Sequence, residues 1–221
     1  MSLWQVLMTG GPVMIVLGAL SVLTITLILV CLFTLTRRSV VTGRYMQTAD
    51  ALLRKGDYLG LLAVSNRHGE AVAKVMQHTL DFLTKHPRAT AANIREIAQT
   101  EGVRQASAMH QRVSYLADIA TLAPMVGLFG TALGMIKSFT AFSGDFAATR
   151  PVMLAAGVSE ALLNTAGGLL IGIPAMAAYA FFRGRLNGLT GDLEAATARL
   201  LVLLSTQYKS GSATDFQNLE K

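Results

Sequence analysis

The sequence has little charge and almost no cysteine for its length. Only 14% of the 221 residues are Asp, Glu, Lys or Arg, while 52% are hydrophobic. This balance excludes an ordinary soluble domain. The single cysteine, Cys31, lies inside an apolar run, so neither a disulfide framework nor a cysteine-based metal site is available. A packing or lipid-facing role is expected for it.

The motifs of covalent enzymes are also missing. No glycine-rich phosphate loop, nucleophile elbow or pair of catalytic carboxylates stands out. The four histidines show no i, i+4 pairing and fall in the more polar parts of the chain, which favours solvated helix positions over metal ligands; they are His68, His78, His86 and His110. We therefore expect no enzyme activity, no cofactor and no metal.

Long apolar runs are what the sequence does have. Residues 13–36, 119–136 and 151–182 carry a single Asp, Glu, Lys or Arg among them, Glu160, and each run approaches or exceeds the length of about 20 residues that crosses a bilayer. The fold class is therefore predicted as an all-α membrane protein with three transmembrane helices and long cytoplasmic helical extensions. The predicted segments are an outer interfacial segment 1–12, transmembrane helix 13–36, a cytoplasmic helical region 37–117, transmembrane helix 118–142, an outer loop 143–150, transmembrane helix 151–182 and a cytoplasmic helical tail 183–221.

The basic residues set the orientation of these segments. Residues 37–117 carry twelve Lys or Arg and residues 183–221 carry five, whereas residues 1–36 carry none. Cytoplasmic segments of membrane proteins are enriched in Lys and Arg, so the N-terminus is expected outside and the C-terminus in the cytoplasm. The net charge of +6 therefore has a topological explanation, and no nucleic-acid partner is expected.

Helical periodicity continues beyond the membrane segments. An apolar pattern runs without a stop from about residue 90 into the second apolar run, which predicts one helix over 90–142, on the order of 80 Å long. The tail has a heptad-like seam at Leu186, Leu189, Leu193, Ala196, Leu200 and Leu203. Such long helices favour an assembly of parallel copies.

Glu160 is the candidate functional residue. It lies about 14 Å along the predicted third span, where a carboxylate costs roughly 2.5–3.5 kcal/mol and usually marks an ion path. On the antiparallel second span, Thr131 falls about 16 Å down, so a hydroxyl and a carboxyl at one depth predict a proton path; alternatively, Thr131 bonds to its own helix carbonyl. Lys137 either pairs with Glu160 or extends to the lipid headgroups.

Other residues of the spans support these roles. Asn164 and Gly167 lie within about 40° of Glu160 on the helix and are predicted as pore-facing support. Small residues at i, i+4 spacing let membrane helices approach closely. Helix packing is predicted for Gly127, Gly130, Gly134, Gly168 and Gly172, and Pro174 is expected as a tolerated kink within the same set.

Two stretches resemble a known family. APMVGLFGTALGMIKSF at 123–139, followed by VSEALLNTAGGLLIGIPAMAAYAFF at 158–182, resembles the paired signature of the ExbB/TolQ branch of the MotA/TolQ/ExbB proton-channel family. GGPVM at 10–14 is similar to the family's entry into its first span. By motif position, the family's proton-path residues fall on Glu160, Thr131 and Thr165. Thr165 rests on the resemblance alone, because ideal helix geometry places it about 140° from Glu160.

The resemblance implies a bacterial inner-membrane protein that forms a pentameric ring around helices of a smaller ExbD/TolR-like partner with one span. Such a complex uses the proton motive force to energise an outer-membrane process, with TonB-dependent import and Tol-Pal function as examples and a TonB- or TolA-like protein as a further partner. The alternative is a non-conducting membrane scaffold, in which Glu160 only holds helices together.

Overall fold

The computed structural model describes residues 11–86, 89–142 and 150–210 of the chain. These ranges form seven helices and no strand, which confirms the predicted all-α fold class. The helices are α1 (Gly11–Thr34), α2 (Arg37–Val40), α3 (Gly43–Lys55), α4 (Tyr58–Arg67), α5 (Ala71–Lys85), α6 (Ala91–Phe142) and α7 (Arg150–Ser210). Most of the predicted interfacial segment 1–12 and outer loop 143–150, and the end of the tail from residue 211, lie outside the described residues.

Three of the helices are long and apolar enough to cross a membrane. They contain the stretches Gly11–Thr34, Ala91–Thr140 and Leu154–Thr206. The predicted single helix over 90–142 is confirmed, because α6 continues from Ala91 to Phe142 with Pro124 inside it. Helix α7 likewise continues from Arg150 to Ser210 with Pro174 inside it. The chain is therefore a multi-pass membrane protein.

The chain divides into two units. Residues 1–32 and 112–182 form what we call the membrane unit, and residues 33–111 and 183–221 form the polar unit. The core of the membrane unit joins α6 and α7 through Ile119, Ala120, Ala123 and Ala175, with Leu20, Leu27 and Ile171 packed against them. Half of the residues of α1 are exposed and nearly all of these are apolar, as expected for a helix that faces lipid.

The polar unit contains the short helices α2 to α5. Helix α3 ends at Gly56, whose φ of 73° is left-handed, and Asp57 then caps α4 by accepting a hydrogen bond from the Gly60 amide at 2.7 Å. The hydroxyls of Tyr45 on α3 and Ser65 on α4 are 2.8 Å apart and buried. Burial, which outweighs that hydrogen bond, raises the pKa of Tyr45 to about 12. The buried hydrogen bond between Tyr45 and Ser65 therefore links α3 to α4.

The predicted seam of the tail is present with one difference. Leu186, Leu189 and Leu193 are buried, as are Ala196 and Leu200. At the end of the seam Leu204 is buried, whereas Leu203 is only partly buried. A straight helix advances 3.6 residues per turn, so a heptad-like pattern drifts around its surface by the last turn.

An acidic residue links α5 and α6 in the polar unit. Glu101 is buried and accepts hydrogen bonds from Arg104 at 2.7 and 2.8 Å and from Gln105 at 2.7 Å. His78 of α5 lies 3.9 Å from the same carboxylate. Burial alone would raise the pKa of Glu101, but these hydrogen bonds and charges outweigh it and hold the pKa below its ordinary value.

The lowered pKa of Glu101 predicts a loss of stability in acid. A carboxyl with a lowered pKa in the folded state stabilises the protein above its ordinary pKa, and this contribution disappears as the pH falls through the folded value. We expect Glu101→Gln to melt about 2–4 °C below the unsubstituted protein at pH 7, with a smaller difference below about pH 4. Thermal unfolding followed by circular dichroism measures this. The exposed Glu96→Gln on the same helix is the control, and an equal shift there would contradict the assignment.

Candidate functional site

Helices α6 and α7 of the membrane unit approach each other through glycines. A Cβ built on Gly168 would lie 2.6 Å from the Ala123 carbonyl oxygen and 3.1 Å from the Cα of Gly127. A Cβ on Gly172 would lie 2.7 Å from Cγ of Pro124. Added Cβ atoms on the three α6 glycines would likewise lie within 3.2 Å of α7; these are Gly127, Gly130 and Gly134. The glycines predicted for packing therefore lie where the two backbones are closest.

Two threonine hydroxyls meet at this contact. Thr131 of α6 and Thr165 of α7 are joined by a very short hydrogen bond between their Oγ1 atoms. The Thr131 hydroxyl is also 3.2 Å from the Gly127 carbonyl of its own helix and 3.2 Å from the Ala161 carbonyl of α7. The bond of Thr131 to its own helix carbonyl is thus present, together with bonds across the helix contact, and a proton path through Thr131 stays a prediction.

The two hydroxyls can exchange a proton. A carbonyl oxygen only accepts hydrogen bonds, so the Gly127 and Ala161 carbonyls can only accept from the Thr131 hydroxyl. In the hydrogen bond between the two hydroxyls either oxygen can be the donor. Each hydroxyl can both accept and donate, so a proton can pass between Thr131 and Thr165, whereas the Ala161 carbonyl has no proton to pass on.

Glu160 itself pairs with a cation. Its Oε2 lies 3.3 Å from Nζ of Lys137 on α6. The Glu160 side chain is 18% exposed, whereas that of Lys137 is 73% exposed. Of the two roles left open for Lys137, the structure shows the ion pair with Glu160. The pair is accessible on the lysine side, so it can open without unpacking the core.

The carboxylate also lies against the start of α1. A Cβ on Gly11 would overlap Oε1 of Glu160, and Gly11 has a φ of 69°, which favours glycine. The N-terminus of a helix carries partial positive charge. One carboxylate oxygen therefore faces this partial charge and the other faces the ammonium group of Lys137.

The predicted pore-facing residues contact helices of the same chain. Asn164 is 1% exposed and lies against Gly130 of α6, and its Oδ1 has no hydrogen-bond partner among the described residues. A Cβ on Gly167 would lie 3.4 to 3.6 Å from side-chain atoms of Leu17 and Met14 on α1. A pore-facing role for Asn164 and Gly167 in an assembly stays a prediction. So does the kink at Pro174, which lies within the continuous helix α7.

Sequence reasoning missed two parts of the site. The contact of Gly11 with Glu160 was not predicted, although the Gly-Gly-Pro sequence had marked the start of a helix. Ser138 was also missed; it is buried, donates to the Gly134 carbonyl at 2.9 Å and lies where a Cβ on Gly157 would be. The i, i+4 spacing of Gly134 and Ser138 was the available signal. Within the described ranges, no cluster of three His, Cys, Asp or Glu could hold a metal, and the expected absence of a metal or cofactor stays a prediction.

Comparison with known proteins finds relatives named TolQ and relatives named ExbB. The chain is 42% identical over 89 residues to the Tol-Pal system protein TolQ of Haemophilus influenzae, which is 40% of this chain and 39% of that protein. It is 33% identical over 155 residues to the biopolymer transport protein ExbB of Pseudomonas putida, 64% of this chain and 44% of that protein. It is 38% identical over 103 residues to ExbB of Salmonella typhimurium, 47% of this chain and 42% of that protein. The chain thus matches less than half the length of each relative.

The family profile matches a longer part of the chain. The profile of the MotA/TolQ/ExbB proton channel family covers residues 66–195. This range includes both threonines, Glu160 and Lys137, together with the glycine contact between α6 and α7. The chain therefore belongs to the MotA/TolQ/ExbB proton channel family, in its ExbB/TolQ branch.

Proposed function

We propose that this chain is a proton-channel subunit of an inner-membrane motor that is driven by the proton motive force. In this proposal several copies, a pentamer by family resemblance, surround an ExbD/TolR-like partner with one span. The complex energises an outer-membrane process such as TonB-dependent import or Tol-Pal function, through a TonB- or TolA-like protein. The N-terminus is periplasmic and the C-terminus cytoplasmic.

The observation that carries the proposal is the hydroxyl pair between α6 and α7, the two helices that also hold Glu160 and Lys137. The Thr131 and Thr165 hydroxyls are hydrogen-bonded to each other, and Thr131 also bonds to the Ala161 carbonyl, next to Glu160 in sequence. These groups lie inside helices long and apolar enough to cross a membrane, where polar side chains are costly and usually functional. Together they supply a group that exchanges a proton and hydroxyls that can transfer one.

The energetics support a gating role for the carboxylate. One proton that crosses 100 mV releases about 2.3 kcal/mol, similar to the cost of one charge within a membrane helix. Protonation of Glu160 removes its charge and with it the attraction to Lys137, 3.3 Å away. Each proton that passes can therefore release and restore a link between α6 and α7.

One observation favours the alternative of a non-conducting scaffold. The ion pair of Lys137 and Glu160 joins α6 to α7 within a single chain, and such a link stabilises helix packing without any proton transfer. In a scaffold the threonine pair has the same structural role. The two functions differ in whether protons flow at all.

Proton flux through the reconstituted complex tests the proposal. The protein is co-reconstituted with its single-span partner in liposomes, and a pH-sensitive dye reports flux under a potassium diffusion potential. We expect flux with the partner present, and a roughly 10-fold decrease in Thr131→Val, which keeps the shape but removes a buried hydrogen bond. Thr121→Val is the matched control, because that exposed hydroxyl bonds only to carbonyls of its own helix.

Two results would contradict the channel. One is a folded, partner-bound complex that carries no protons, which favours the scaffold. The other is equal flux in Thr131→Val and Thr121→Val, which would remove the hydroxyl pair from the path. Repeating the assay with sodium replaced by choline identifies the ion, because a proton channel keeps its flux without sodium.

A further inference from the structure

The polar unit has a shallow, open basic cavity, lined by residues that follow two of the apolar runs in sequence. It has a volume of about 390 Å³ and is lined by Arg37, Arg185, Gly188, Leu189 and Asp192. Arg37 comes three residues after α1 ends at Thr34, and Arg185 comes three residues after the apolar run that ends at Phe182. Two arginines that are distant in sequence thus line one cavity, each just beyond the end of an apolar run.

The cavity has an uncompensated positive charge. The Nε of Arg37 is 3.0 Å from Oδ2 of Asp192, and its Nη2 is 3.4 Å from Oδ1. This pairing leaves other N–H groups of the Arg37 guanidinium, which has five donors in all, available. Arg185 is exposed and has no ion pair or hydrogen bond with any residue that the structure describes. Two arginines against one aspartate leave a net charge of about +1.

Gly188 leaves the cavity open on the side of α7. A Cβ built there would meet no atom within 4 Å, in contrast to Gly168, where an added Cβ would overlap the α6 backbone. Glycine in a helix interior is less stable than alanine. At Gly188 no close packing within the chain offsets this loss of helix stability, and the space beside it is free for a bound group.

We propose that this cavity binds the phosphate of an anionic phospholipid of the phosphatidylglycerol class. Arginine presents paired N–H donors that match phosphate oxygens, and basic pockets at the membrane border suit anionic headgroups. Phe33, in the last turn of α1, is 75% exposed and belongs to the same unit. This exposed apolar side chain, four residues before Arg37 in the sequence, offers a contact for an acyl chain, which a free phosphate does not have. This favours a lipid.

Lipid binding to the purified full-length protein tests this site. Native mass spectrometry, with dioleoylphosphatidylglycerol or dioleoylphosphatidylcholine added to the detergent-solubilised protein, counts the bound lipids. We expect phosphatidylglycerol to bind more tightly than phosphatidylcholine, and Arg185→Gln to weaken its binding about 5-fold. Gly188→Leu, which fills the cavity without touching a charge, is expected to weaken it as well.

The controls separate a specific site from general attraction. Arg95→Gln removes an exposed arginine elsewhere in the polar unit, and Gly191→Leu adds the same bulk at another open glycine; both should bind as the unsubstituted protein does. Inorganic phosphate at equal concentration should not displace the lipid. Equal binding of the two lipids, undiminished binding in Arg185→Gln, an equal loss in Arg95→Gln, or displacement by phosphate would each overturn the proposal. If Gly188→Leu fails to fold, Arg185→Gln decides.

Discussion

Glu160→Gln is expected to abolish proton flux while leaving the protein assembled. The amide keeps the size and the hydrogen-bonding capacity of the carboxyl, so it can still contact Lys137 and the start of α1. It cannot take up and release a proton. We expect flux to fall about 100-fold or more, the range by which a positioned proton-transfer group commonly accelerates a step.

This substitution also separates the two proposed functions. A scaffold needs Glu160 only to hold helices together, so Glu160→Gln would keep its function while Glu160→Ala would weaken its assembly. In a channel both variants lose flux, and size-exclusion chromatography of Glu160→Gln shows an unchanged assembly. Glu96→Gln, the same chemical change on an exposed side chain of the polar unit, should keep full flux. Flux retained in Glu160→Gln would refute the channel.

Gly168→Ala is expected to lower the stability of the membrane unit, because it adds a methyl group where α6 and α7 are in close contact. The new Cβ would lie 2.6 Å from the Ala123 carbonyl oxygen and within 3.2 Å of the Cα atoms of Gly127 and Pro124. All three are backbone atoms, so a side-chain rotation cannot relieve the overlap. Overpacking of this kind costs roughly 1–3 kcal/mol, occasionally more. We expect a lower melting temperature and a separated threonine pair.

The same helix offers a matched control for this substitution. A Cβ on Gly184 would meet no atom within 4 Å, so Gly184→Ala tests helix propensity alone. It should stabilise the protein by about 0.5–1 kcal/mol, because glycine is the weaker helix former. Fluorescence-detected thermal unfolding in detergent compares the two. If Gly168→Ala melts at or above the temperature of Gly184→Ala, the close contact of α6 and α7 is wrong.

Hydrophobic length and periodicity were enough to predict the main helices. An apolar segment of about 20 residues has few alternatives to a membrane helix, so α1, α6 and α7 followed from composition and pattern. The seam of the tail was predicted almost completely. Only Leu203 is partly rather than fully buried, because the drift of the pattern depends on how the helix lies against its neighbour.

The contacts of the site were harder to predict. Helix geometry placed Thr165 away from Glu160, but it did not indicate that Thr165 would meet Thr131, which depends on how α6 and α7 pack. The partner of Lys137 stayed open for the same reason, since a long side chain reaches either the headgroups or a neighbouring helix. Gly11 is far from Glu160 in sequence, and a short glycine-proline sequence carries no information about its tertiary neighbour.

Gly11, the first residue of α1, lies where an isotope label can report on the Glu160 carboxylate. Its backbone lies against the Glu160 carboxylate, and an isotope label in that backbone alters no side-chain contact. Carbon-13 or nitrogen-15 in that one peptide group would sense the electric field of the acid in the native protein. The chemical state of Glu160 can thus be followed during operation without any substitution near it.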